Sequence, residues 1–168
     1  ILAPTDYTRE VNGSDIYYKV YTASGLLTWM QEAAEGASSN SKIVHLELMA
    51  DVTLPADAVW TPIGRNYYSY TNYSYKGNVD GHGHTISNLT INAETNQAGF
   101  IGSLATGTVK NLKFANVNVS STISYTAAVV GYNHSGTIDN CHILSGTISS
   151  TNTYTGGIVG YGPTNAVS

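Results

Sequence analysis

Apolar and polar positions alternate most regularly in the second half of the chain, where short apolar runs closed by glycine recur at a fixed spacing. Ala98-Gly99-Phe100-Ile101-Gly102 is followed by Ala127-Ala128-Val129-Val130-Gly131 and then by Thr155-Gly156-Gly157-Ile158-Val159-Gly160, which sets the closing glycines 29 residues apart. The register continues past them, with Gly107-Thr108-Val109-Lys110-Asn111-Leu112 falling on Gly136-Thr137-Ile138-Asp139-Asn140-Cys141. Self-similarity at this length is the sequence mark of stacked repeats that bury their apolar faces against one another.

The pattern predicts two kinds of strand. A long kind covers Thr85–Asn92, Thr108–Ser120 and Thr137–Ser149; a short kind covers Trp60–Gly64, Gly99–Leu104, Ala128–Tyr132 and Gly157–Tyr161. Phe100, Val129 and Ile158 are expected to stack, and Asn88, Asn111 and Asn140 to share equivalent corners with bonded amides. Upstream, Ile16–Tyr21 and Ile43–Leu48 read as strands. Between them, Leu26, Leu27, Met30, Ala33 and Ala34 mark one face of a helix, with Ser24 as N-cap and Gly36 followed by Ser38-Ser39-Asn40 as its end. That helix predicts a cap over the first repeat.

The expected fold is all-β: a right-handed parallel β-helix, or solenoid, of about four coils with an N-terminal capping helix. Residues 1–41 would form the lead-in strand and cap, and 42–168 the repeats. Extended forward, the period puts Asn165-Ala166-Val167 on Gly136-Thr137-Ile138, so a further long strand is expected to begin there and continue in a parent protein.

Composition narrows the function. Charged residues make up 11% of the chain, against about 25% in typical globular domains, and 13 of its residues are tyrosine. A net charge of −4 with seven Lys and Arg argues against nucleic acid or an anionic membrane as partner. No apolar run approaches the roughly 20 residues of a membrane-spanning helix. The lone Cys141 aligns with Leu112, which predicts a buried thiol.

The Gly-Phe-Ile-Gly, Ala-Val-Val-Gly and Gly-Ile-Val-Gly segments, each with its Gly-Thr-Val/Ile-x-Asn continuation in the first two, resemble the GLUG motif. Trp60-Thr61-Pro62-Ile63-Gly64 and Val79-Asp80-Gly81-His82-Gly83-His84-Thr85-Ile86 are similar to the lead-in of such repeats. The resemblance spans roughly residues 43–161. It implies a pectin-lyase-like parallel β-helix in an adhesin-like bacterial surface or secreted protein, with no catalytic set and no cofactor.

Three clusters are candidates for chemistry. Asp80, His82 and His84 alternate as metal ligands do in an extended segment, but Gly81 and Gly83 mark a tight turn. His45, Glu47 and Asp51 alternate on a strand, as in the grooves of polysaccharide-cleaving enzymes. For that alternative, a polysaccharide lyase or hydrolase, Glu47, Asp51, Asp80 and His82 are the acid/base candidates. The third cluster is the tyrosine-rich insertion, in which Arg65, Tyr67, Tyr68, Tyr70, Tyr73 and Tyr75 are the expected ligand contacts. Tyr125 and Tyr154, like Tyr132 and Tyr161, predict stacked rings. The leading expectation is a non-catalytic, extracellular, adhesin-like binding or stalk module of a bacterial surface protein. Its partners would be a glycan or a surface protein, with end-to-end self-association as a structural alternative.

Overall fold

The computed structural model describes residues 5–65 and 71–163. The strands β1 (Tyr7–Asn12) and β2 (Asp15–Val20) form a hairpin turned at Gly13, whose φ of 63° suits glycine. The helix α1 (Ala23–Ser39) follows, then β3 (Ile43–Leu48) and β4 (Val52–Thr53). The rest of the chain supplies β5 (Val79–Asp80), β6 (Thr85–Ser87), β7 (Thr90–Ala93), β8 (Ile101–Leu104) and β9 (Thr108–Ala115). It ends with β10 (Val117–Ser121), β11 (Val130–Asn133), β12 (Thr137–Ile143), β13 (Gly146–Ser150) and β14 (Val159–Tyr161).

These strands make three sheets. The largest has eight strands in the order β1-β2-β3-β5-β9-β6-β4, with β12 also pairing β9. The strands β5 and β6 lie along one side of β9, which β5 meets at Val109–Lys110 and β6 at Lys113–Ala115. Two smaller parallel sheets run β13-β10-β7 and β14-β11-β8.

The expected right-handed parallel β-helix is overturned. The large sheet is mixed, because β1 and β2 pair antiparallel, and it does not close; the chain is neither a β-helix nor a solenoid. The 29-residue spacing is a property of the C-terminal half, where Thr108 pairs Thr137, Val117 pairs Gly146 and Ile101 pairs Val130, which pairs Val159. Upstream the register drifts: Asp15 pairs Ile43, Leu46 pairs Val79 and Val52 pairs Ile86. A period read in one half does not describe the other.

The helix is longer than its sequence signals suggest. Thr22, in extended conformation, is the N-cap and accepts from the Gly25 N–H, while Asn40 ends the helix in the left-handed region. Gly36 lies inside, where a Cβ would meet Lys42 at 2.8 Å, so it lets the helix approach the chain leading into β3.

Beneath the helix sits an aromatic core. Trp29 stacks on Phe100 with ring centroids 5.6 Å apart, Phe100 stacks on Trp60 at 4.7 Å, and Tyr75 meets Trp29 edge-on. Their polar atoms are satisfied: the Trp60 indole donates to Phe100 O at 2.9 Å, and the Trp29 indole and Tyr75 hydroxyl both donate to Val44 O. Burying each of these side chains contributes about 2 to 3 kcal/mol, so this cluster is the main fastening of helix to sheets. Glu32 adds a polar fastening by accepting from the Arg9 guanidinium, the Tyr18 hydroxyl and the Lys42 ammonium.

Candidate functional site

The strands β2, β3, β5 and β9 alternate inward apolar and outward polar residues. Ile16, Val44, Leu46, Val79 and Val109 are buried, which turns Asp15, Tyr17, Lys19, His45, Glu47, Asp80 and Lys110 to the other face. Register makes a row of the charged ones. Lys19 pairs Glu47, Glu47 pairs Asp80, Asp80 pairs Lys110, and Lys110 pairs Asp139. Beside that row Tyr17 pairs His45, and their rings stack at 4.7 Å with 15° between planes.

A groove of about 400 Å³ follows this face, lined by Tyr17, His45, Glu47, Asn78, Asp80 and Lys110 among others. Tyr17 is 45% exposed and forms its wall. The tautomer of His45 follows from its partners. The Asn78 backbone N–H donates to Nδ1 at 3.0 Å, so the ring proton sits on Nε2 and donates to Asp15 at 2.8 Å. The ring is thereby held flat under Tyr17.

Against two of the lining carboxylates, His82 Nε2 lies 3.0 Å from Glu47 Oε1 and its Nδ1 lies 3.9 Å from Asp80, while Lys110 Nζ lies 3.6 Å from the second Asp80 oxygen. Burial would push the Asp80 carboxyl up. The His82 backbone N–H, the Asn111 amide and the charges of His82 and Lys110 outweigh it and hold the group below its ordinary value. Asp51 is also held low, chiefly by the Thr85 backbone N–H and then by His84, whose Nδ1 is 3.2 Å away.

This placement bears on each candidate. Of the acid/base set, Glu47, Asp80 and His82 come together, while Asp51 pairs separately with His84. A general acid needs a raised carboxyl pKa, and Asp51 and Asp80 are shifted the other way; nothing positive points to an enzyme. The possible metal triad divides, with His82 turned to Glu47 and His84 to Asp51, and among the described residues no group of three or more His, Cys, Asp or Glu has the geometry to hold a metal ion. Gly81-His82-Gly83 is a tight turn, with φ of 49° at His82 and the His84 N–H bonded to Gly81 O.

Of the expected ligand contacts, Tyr67, Tyr68 and Tyr70 lie outside the described residues. Arg65 is exposed and stands 5.0 Å over the half-buried Tyr73 ring. Tyr75 is a correction: it is 2% exposed and belongs to the aromatic core, where its hydroxyl is committed to Val44 O. The Cys141 thiol is half-buried opposite Leu112, and burial raises its pKa to about 11.

The groove residues Tyr17, Asn78 and Lys110, and Asp15 and Lys19 on the same face, escaped sequence reading. Their alternation was visible, but the β2–β3 pairing that carries Tyr17 onto His45 bridges a 17-residue helix and leaves no local trace.

Among the described residues no helix is long and apolar enough to cross a membrane. No family model matches the chain, and no solved structure matches it. Over 61 residues the chain is 37% identical to Halomucin of Haloquadratum walsbyi, a stretch covering 35% of this chain. The chain spans about 1% of the length of that curated relative, and the likeness is one of a segment.

Proposed function

We propose that this chain is a non-catalytic, adhesin-like binding module of an extracellular bacterial surface protein, and that it contacts a glycan across the outer face of its large sheet. The observation that carries the reading is the groove in which an exposed Tyr17 ring, backed by His45, stands beside carboxylate, ammonium and amide groups. A sugar presents an apolar ring face and a rim of hydroxyls. Such a site offers an aromatic surface for the first and donors and acceptors for the second. The GLUG-like segments and the partial likeness to a protein named for mucin support an outer-surface setting. Arg65 over Tyr73 provides a second polar-aromatic surface.

The test is a glycan array probed with the wild-type chain and with Tyr17→Ala. Retention of a defined glycan set by the wild type, weakened about tenfold by Tyr17→Ala, is the expected result. Equal retention by both proteins would remove the groove from the reading. Retention of nothing on the array would remove the glycan.

A further inference from the structure

The groove on the large sheet carries a charge pattern that narrows what it can hold. Glu47 on β3 and Asp80 on β5 stand directly opposite each other. Like charges in that position repel, so the pair favours a cation beside it. Asp80 has one: Lys110 lies 3.6 Å from one oxygen, while the His82 backbone N–H and the Asn111 amide donate to the other. Glu47 is less well supplied. Its Oε1 meets the part-exposed His82 ring at 3.0 Å, and among the described residues nothing donates to Oε2. Lys19 faces Glu47 in strand register but forms no ion pair with it.

The imbalance extends beyond one residue. At the level of the groove the sheet presents four carboxylates, Asp15, Glu47, Asp80 and Asp139, against the two ammonium groups of Lys19 and Lys110. His45 adds no charge, since the Asn78 N–H donating to Nδ1 leaves that nitrogen without a proton. An anionic sugar therefore meets a face of its own sign.

The carboxylates act together with an aromatic wall. Tyr17 is exposed and braced flat on His45, and both Tyr17 and Glu47 line the groove. A ring face beside an anion suits an ammonium, held by cation–π attraction to the one and a charge-assisted hydrogen bond to the other. The same ring takes the C–H face of a pyranose. Asn78, also in the lining, commits its amide oxygen to the Thr108 N–H at 2.9 Å, which leaves its amide nitrogen to donate to sugar hydroxyls.

We infer that the groove selects pyranose units bearing a free amino group, with the ammonium held by Glu47 Oε2 against the Tyr17 ring. The inference rests on the proposed glycan contact and adds the substituent that decides which glycan binds.

The full chain is titrated, in buffer just below neutrality, with a hexamer of glucosamine, with its N-acetylated counterpart and with hexalysine. Binding is read by NMR from the Tyr17 ring and the Glu47 carboxyl. Acetylation removes the charge and keeps the sugar rings, whereas hexalysine keeps the charge and has no rings. The glucosamine hexamer should bind at least tenfold more tightly than either. Glu47→Gln should bring it down to the level of the acetylated hexamer, and Tyr17→Ala should weaken both sugars alike. Both side chains point outward, and unchanged indole signals of Trp29 and Trp60 establish that each variant keeps its fold. Equal binding of the two sugars, or a Glu47→Gln variant that retains the preference, would overturn the selectivity and leave the groove as a site for neutral glycans. Hexalysine binding as tightly as the glucosamine hexamer would overturn the pyranose requirement, since charge alone would then suffice. Tyr17 signals that neither sugar moves would overturn the glycan contact itself, and this inference with it.

Discussion

The two halves of this chain solve the same problem with different materials. In the N-terminal half one helix covers the sheets through Trp29, and the outer face carries a row of charges from Lys19 to Lys110. In the C-terminal half each layer is a copy of the one before. Apart from Lys110 opposite Asp139, its polar ladders are built of neutral groups: Asn140 donates to Asn111, Tyr154 stacks on Tyr125, and Ser124 bonds Asn152. Charges facing like charges in stacked copies repel, whereas amides and phenols are self-complementary and can repeat without limit. A repeat therefore favours neutral polar residues, or opposite charges in successive copies as at Lys110 and Asp139, while the irregular half uses ions more freely.

The largest effect follows from removing the fastening that only the irregular half has. Trp29→Ala removes the ring that stacks on Phe100 and leans against Trp60, and opens a cavity in a fully buried cluster. We expect a loss of about 3 to 5 kcal/mol in denaturant unfolding. If the halves unfold as separate units, the Tyr154 and Tyr161 ring signals should persist after those of Tyr75 have collapsed. A single coincident transition would show that the repeats depend on the helix.

The second effect separates the halves by pH. Hydrogen bonds from Arg9, and then from Tyr18 and Lys42, hold the Glu32 carboxyl down to about 2, against the opposing influence of burial. A depressed carboxyl pKa contributes stability that is present above the unfolded value of 4.5 and is lost as pH falls through about 2. Arg9 is partly exposed, and screening reduces the contribution to about 2 kcal/mol. Glu32→Gln should lose that amount at neutral pH and show a flatter stability profile between pH 5 and 2. An unchanged profile would mean that other carboxylates carry the acid sensitivity.

The contrast also explains what could be read from the sequence. The repeated half was legible because its pairing partners are related by one number: Cys141 was expected beside Leu112, and Val130 beside Ile101, and they pair so. Asn88 shows where the number fails. The 29-residue rule did not extend upstream, and Asn88 accepts from Asn116 while the third place in the Asn111 ladder goes to Asp80. The antiparallel strand β1 has one exposed face after another and gave no hydrophobic signal. Tyr75 looked like part of an exposed tyrosine run because composition does not show which ring turns inward. The groove depended on strand pairings across α1 and across the 65–76 insertion, which no local pattern specifies.

The smallest effect lies where the two halves touch. Asn140 donates to Asn111 at 3.0 Å, and Asn111 donates to Asp80 at 3.2 Å, so the neutral ladder ends on the charged row. Asn111 has φ of 56°, which asparagine and glycine tolerate better than alanine. Asn111→Gly should cost about 1 kcal/mol, the worth of its side-chain bonds, and Asn111→Ala about 1 kcal/mol more for the backbone. In both variants the Asp80 carboxyl loses one of the donors that offset its burial, so its pKa should move up toward the ordinary aspartate value in a carboxyl NMR titration. An Asp80 titration that stays in place in both variants would mean that His82 and Lys110 alone hold the anion, and that the amide ladder stops short of the groove.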